Sequence, residues 1–521
     1  MKRKTSILLL MLFIFSLILQ GCGSNSKEVG KEEKTISLGT TGYFFNETWD
    51  PVNGYDSMAI QSYGVGETLF RLDENYKIKP WLVDSFEQKD DFTWEITLKD
   101  GIVFHNEKPV TGEAVKKCFE RSIKENSRAL DLIKIKEIQA EGQKLIIKTE
   151  AIVPTLINDL ADPVWVVYDA ESTEDFKEIT YYTGPYKIGD FEANVELTVE
   201  KFEHYWGEKS NIDKAIFKTY SDDDSLLMAL QSGEVDIMIP MSAANYKILK
   251  TGESKKFEVV GSTSSRGQFL QLNLDKPIFK DKNVRKAIYM CMDREKYAEE
   301  ICYGRDTPGY TIFPDSLSFG GHEKLNLEST EYSVEKAKKL LEEAGYVDSN
   351  QDGTLDKDGV ELTFSITTFS NYTSSLQLFE VMQEDLKEIG IGLEIHAVEN
   401  PNDYVHSGDF FVKGASYITA PTGTSNYFLN ILCKTEGEQN YGHYSNPEVD
   451  KLIEALSIEK DEATRDDLTR KISELVANDY AFLFYNHEKF SASYNKEVVE
   501  NFYPHPSELY ILDTNTRLVE E

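Results

Sequence analysis

Apolar residues follow two periods along this chain. In DFTWEITLKDGIVFHN (91–106) they alternate at Phe92, Trp94, Ile96 and Leu98 and stop at Asp100-Gly101. That is the pattern of a half-buried strand running into a hairpin turn. KLIIKTEA (144–151) and VELTVEKF (195–202) have the same strand character. Elsewhere the period lengthens. In SVEKAKKLLEEAGY (333–346), Val334, Ala337, Leu340, Leu341 and Ala344 form one helical stripe. Ser333 is placed to cap that helix, Glu335 sits in the first turn where the dipole favours an anion, and Gly345 is a natural stop. Val284, Ala287, Ile288 and Cys291 share a face in 281–304, which Gly304 closes. LFEVMQEDLKEIGIGLEIHAV (378–398) reads as helix, glycine break and strand, and 446–479 reads as two helices. Strands alternating with helices across helix–Gly–strand joints predict α/β lobes. No short internal repeat interrupts this pattern.

The chain opens differently. Lys2, Arg3 and Lys4 precede an apolar run from Ile7 to Leu19, followed by Gln20, Gly21 and Cys22. The run is shorter than the roughly 20 residues that span a bilayer core, so it predicts a secretory signal peptide over 1–21. Leu19-Gln20-Gly21-Cys22 resembles the lipobox of bacterial lipoproteins, although Gln20 stands where a smaller residue is preferred. The resemblance implies that Cys22 is lipidated and becomes the first mature residue. Two acyl chains would make a stable anchor. Residues 22–35, small, polar and charged after the cysteine, would be a flexible tether.

Composition narrows the classes. The 521 residues are 40% hydrophobic and 12% aromatic, enough for a large packed core and for two or three domains. The formal net charge of −34 argues against nucleic acid as a partner and against adhesion to anionic lipid. Four further cysteines, Cys118, Cys291, Cys302 and Cys433, form no CxxC pair and suggest no metal knuckle, while one disulfide stays conceivable. DSNQDGTLDKDG (348–359) begins like a calcium loop, but Gly359 replaces the bidentate Glu at its end, which predicts a polar hairpin turn instead. Serine-hydrolase and zinc-protease motifs are missing, so an enzyme is not expected.

Six stretches then align with one family. VRKAIYMCMDREK (284–296), SVEKAKKLLEEAGY, TGPYKI (183–188), HYWGEKSNIDKAIFK (204–218), ALQSGEVDI (229–237) and YSNPEVDKLIEA (444–455) resemble the extracytoplasmic solute-binding proteins of peptide/nickel-type ABC importers, family 5. WEITLKDGIVFHNEKPVTGEAV (94–115) resembles that family's signature region. The resemblance implies an α/β, periplasmic-binding-protein-like fold of two lobes with two hinge crossovers, large and cluster C-like, with an extra subdomain in lobe I. Lobe I would hold 36–268 plus 487–521 and lobe II 269–486. The crossovers would lie near FLQLNLD (269–275) and AFLFYNHE (481–488). It also implies a monomer on the outer face of the cell membrane of a Gram-positive bacterium, serving an ABC permease and ATPase. Runner-up readings are an oligopeptide or peptide-pheromone receptor and, further off, a secreted hydrolase.

Ligand residues are implied by the same resemblance. Peptide-binding members hold the peptide ammonium with an acid in a segment matching YITAPTGTSNYFLN (417–430), where Thr424 and Ser425 stand instead. Nickel- and metallophore-binding members grip chelator carboxylates with arginine, whose planar fork suits two oxygens. Arg128 falls at one such position and Asp162 at another. Arg128 is therefore either a ligand clamp or a surface ion pair. Tyr417, Thr419 and Thr422 are either ligand-binding or a loop shaped by Pro421 and Gly423. No resident metal or cofactor is implied; a nickel chelate would be cargo, and a short peptide is the alternative.

Overall fold

The computed structural model describes residues 33–41, 48–172, 175–176, 180–370 and 373–520. The signal peptide, Cys22 and nearly all of the expected tether lie outside them. Thr35–Glu521 forms one compact unit.

The framework is an eleven-stranded mixed sheet carried through the whole unit by two long antiparallel strands, Phe257–Leu272 and Phe482–Asn495. At one end, Ile237–Met238 pairs with Ser493 and Tyr494 and leads on to Thr35–Thr40, Lys214–Thr219, Glu196–Lys201 and Tyr186–Glu192. At the other, Val412–Ile418 pairs with Arg266–Leu272 and leads on to Thr363–Phe369 and Gly392–Val398.

Apolar side chains sort into cores that follow those two ends. One core gathers Ile36, Leu38, Trp94, Ile96, Leu145, Val199 and Phe217 with Phe490, Ala492 and Ile511 from the C-terminal part of the chain. Two others belong to the middle of the chain. The first is built around Leu270, Val284, Ala337, Ile366, Phe379 and Leu483, the second around Phe269, Phe313, Phe428, Phe482 and Phe484. This is a two-lobed fold. Leu72 and Tyr76, from the hairpin Phe70–Leu72/Ile78–Pro80, reach out of the first lobe into the last of these cores.

Where the long strands pass between lobes their ladder is broken. Register shifts between Thr263 and Gly267, so the backbone ladder to Phe482–Asn495 skips Ser264, Ser265 and Arg266. Their polar groups are met otherwise. Ser264 Oγ donates to Glu508 (2.5 Å), and Tyr76 Oη accepts the Ser265 amide (2.7 Å). The Arg266 guanidinium pairs with Glu508 (2.6 Å).

Local expectations compare well with the helices. Val334–Glu343 is helical, the Ser333 side chain accepts from the Lys336 amide, and Gly345 takes φ +86°. Thr373–Glu388 is followed by Gly390 at φ +78° and the strand Gly392–Val398. Pro447–Ile458 and Glu462–Asp479 are the two expected helices. One strand finds a different partner. Thr93–Leu98 forms, but it pairs with Val83–Gln88 and Lys144–Thr149 rather than folding back on 102–106. Residues 348–359 form a turn leading into a small hairpin, Asp356–Lys357 with Val360–Glu361. There both Asp348 carboxylate oxygens are spent on the amides of Asp352 and Gly353. The cysteines other than Cys22 are buried free thiols.

Candidate functional site

Three elements of the first lobe meet one loop of the second. Asn126 caps the short helix Ser127–Leu132, its side chain accepting from the Arg128 amide (3.0 Å), and this aims Arg128 across the seam. The fork of Arg128 closes on Asp162, with Nε 3.2 Å from Oδ1 and Nη2 2.5 Å from Oδ2. Asp162 is 1% exposed and also caps the turn Pro163–Trp165. The remaining edge of the guanidinium crosses between lobes. Nη1 donates to Tyr427 Oη at 2.7 Å, and the cation lies 4.6 Å from the Tyr427 ring. Asp162, at the second of the two positions where the resemblance implies an arginine, is thus the acid that occupies the first. A guanidinium already bidentate with one carboxylate has little fork left for another.

The loop after Ile418 is held as tightly. Thr419 donates both its amide (2.9 Å) and its hydroxyl (2.8 Å) to the Ser265 carbonyl, which ties the loop to the unpaired stretch of the long strand. Thr422 Oγ1 lies 3.4 Å from Asp159 Oδ1, and its carbonyl accepts from Asn158 (3.2 Å). Both threonines are fully buried, so their hydroxyls serve closure between segments. Gly423 has φ +73°, and a Cβ there would meet the Tyr76 carbonyl at 2.5 Å. Thr424 is turned to Thr422, and Ser425 to Thr469. A cavity of about 100 Å³ lies beside them, bounded by the hairpin at Asn75–Ile78 and by Glu462, Arg465 and Thr469.

Asp159 is the acid nearest this loop. Burial pushes its carboxyl up to about 7, against the pull of hydrogen bonds from Thr155 and Thr422 and with Asp162 adding to the rise. A carboxyl that gives up its charge as pH falls through neutrality is a weaker counter-ion for a peptide ammonium than an ordinary carboxylate.

Tyr417 is half-buried, packed on Phe269 (5.8 Å between ring centroids) and Phe428 (6.4 Å). Its hydroxyl receives a hydrogen bond from Lys413 Nζ at 3.3 Å. Lys413 was not expected from the sequence. It lies on Val412–Ile418 at 5% exposure, and its ammonium sits 4.8 Å from the Tyr441 ring. Its sequence signal is weak: it interrupts the apolar run FFVKGASY, and Val412 to Ala415 are buried on both faces of the strand. Tyr55 interacts electrostatically with Arg128, Tyr427 and Tyr441, so the phenols form one group joining the two cations.

Two lobes sharing two long strands, with cations and phenols along the seam, define a receptor that holds a solute by closing over it. The profile of the bacterial extracellular solute-binding proteins, family 5 Middle, matches residues 77–439, and the chain belongs to that family. The nickel-binding protein NikA of Staphylococcus aureus is 28% identical over 510 residues, which are 97% of this chain and 98% of that protein. The oligopeptide-binding protein AppA of Bacillus subtilis is 24% identical over 551 residues, 98% of each. The crystal structure of Staphylococcus aureus NikA in complex with Ni(L-His)2 matches with a TM-score of 0.79 at 26% identity, covering 94% of this chain and 100% of that one. Among the described residues no helix is long and apolar enough to cross a membrane, and no group of three or more His, Cys, Asp or Glu side chains could hold a metal ion.

Proposed function

We propose that this chain is the substrate-binding lipoprotein of an ABC importer and that its solute is a nickel chelate or metallophore-like small molecule, with a short peptide as the alternative. Lobe I is assigned to 36–268 with 487–521 and lobe II to 269–486. Cys22 carries the lipid that holds the protein on the outer face of the membrane, and the tether keeps it at high effective concentration near its permease. It acts as a monomer and carries out no chemistry of its own. Closure is favoured because the solute contacts both lobes, and the permease reads the closed pair.

The observation that carries this reading is the Arg128–Tyr427 bond across the seam, 2.7 Å long and backed by buried Asp162. Full-length similarity to a nickel-binding protein supports the chelate as cargo. The oligopeptide reading rests on AppA. Against it, Thr424 and Ser425 replace the ammonium-binding acid and their hydroxyls are taken by Thr422 and Thr469. The test is a fluorescence titration of the domain from about residue 28, with native mass spectra of the protein as purified. Ni²⁺ alone, Ni²⁺ with histidine and a mixed peptide pool are the three titrants. A response to the chelate alone is expected. A response to peptides alone overturns the chelate assignment, and no response to any of them overturns the importer reading.

A further inference from the structure

We propose that Lys413 is the anion-gripping residue of the interlobe site, taking a carboxylate of the solute on its ammonium. The inference rests on the binding-protein reading above and narrows its substrate class.

Lysine is almost never fully buried unless paired. Lys413 is 5% exposed, and no carboxylate among the described residues pairs with it. Its surroundings are neutral. Gln271 and Thr367, its cross-strand neighbours, are each 1% exposed, and Gln271 Nε2 is turned to the Gln439 carbonyl (3.0 Å). Tyr417 accepts one of its hydrogen bonds, and Tyr441 offers a ring face. Tyr441 in turn touches His406 through its hydroxyl (3.4 Å) and feels Glu438 and Tyr55 electrostatically. An ammonium has three donors. With one used on Tyr417, two remain for a ligand.

Arg128 cannot do this work in the present arrangement, because Asp162 occupies its fork. Lys413 is thus the seam cation left without an acid among the described residues, and an unpaired buried charge is costly until something neutralises it. A carboxylate supplies that neutralisation, whereas a bare divalent cation would be repelled. The solute class that fits is a chelate or small acid bearing at least one carboxylate. Burial also brings the Lys413 ammonium down to about 8. A bound carboxylate would raise it again, so binding should take up a proton above that pH.

The experiment compares wild type with Lys413→Met, which removes the charge and keeps an unbranched side chain. The probes are Ni²⁺–histidine, Ni²⁺–histidinol, a peptide pool and the same pool with amidated C-termini. Wild type should prefer the carboxylate form of whichever pair it binds, by about thirtyfold. Lys413→Met should lose that preference while unfolding in urea at the same or a higher midpoint, since a buried charge has gone. Wild-type affinity should fall about tenfold from pH 7 to pH 9, and the variant's should stay flat. Overturning results are a variant that keeps the preference, or one that loses binding and stability together. If wild type binds none of the probes, the importer reading fails and this one with it. If wild type binds and the variant is unchanged, the Lys413 assignment alone falls.

Discussion

Replacing Asp159 by Asn should flatten the pH dependence of stability. Asp159 is 5% exposed, accepts from Thr155 Oγ1 at 2.8 Å, and faces Thr422 across the seam. Burial lifts its carboxyl from 3.8 to about 7, with Asp162 adding to the rise and Arg465 opposing it. The folded protein therefore keeps a proton that the unfolded chain has already released. Stability from this group is complete below about pH 4 and is lost as pH rises through 7. Three pKa units correspond to about 4 kcal/mol over the full range, and about 2.5 kcal/mol of that falls between pH 5 and pH 8. Asparagine keeps an accepting oxygen for one threonine, turns an NH2 donor to the hydroxyl of the other, and has no charge to acquire. Urea unfolding of both proteins at pH 5, 6, 7 and 8 gives the comparison. Wild type should lose about 2.5 kcal/mol more than Asp159→Asn across that span. Because Thr422 lies on the other lobe, opening should expose the same carboxyl, and acid should favour closure with the same sign. Parallel curves for the two proteins would refute the argument.

Three further outcomes are expected. Arg128→Ala strands the buried Asp162 carboxylate and should cost about 3 kcal/mol of stability. Adding Asp162→Asn should recover part of the loss, and strict additivity in a double-mutant cycle would remove the pair from the account. Gly423→Ala forces a Cβ onto the Tyr76 carbonyl at positive φ and should cost about 2 kcal/mol in urea unfolding. A variant as stable as wild type would mean that the loop does not dock on the hairpin as described. Calcium at about 1 mM should leave the melting temperature unchanged, because Asp348 is used on backbone amides; a rise of several degrees would show a bound ion stabilising the folded state.

Legibility in the sequence followed the range of the interaction. Ser333, the stripe through Leu341 and Gly345 act within one helix, so their spacing predicts it well. Strand Thr93–Leu98 was visible, but its neighbours were not, because alternation says nothing about which strand completes a ladder. The long strand from Phe257 was legible only at its apolar end. Its segment Gly261-Ser262-Thr263-Ser264-Ser265 has no alternation to read, since polar groups of the C-terminal segment, at Pro504 and Glu508, receive its hydroxyls. Arg128 could be singled out by likeness, yet Asp162, 34 residues away, decides what its fork can grip. Lys413 looks like a surface residue because nothing in the sequence shows that packing buries both faces of the strand from Val412 to Ala415.

The second long strand bears on when each lobe can be completed. Ile237–Met238 acquires one of its two neighbours only from Ser493 and Tyr494. The core around Ile36 and Leu38 also waits for Phe490, Ala492, Phe502, Ile511 and Leu512. A chain that stops at residue 480 lacks Phe482 to Tyr485 from the middle lobe's cores, and it leaves the amino-terminal lobe without a side of its sheet and part of its interior. Folding by domain from the amino terminus, the usual course for large chains, would leave this amino-terminal lobe incomplete until the C-terminal strand arrives. The lobe begun first is the lobe finished last.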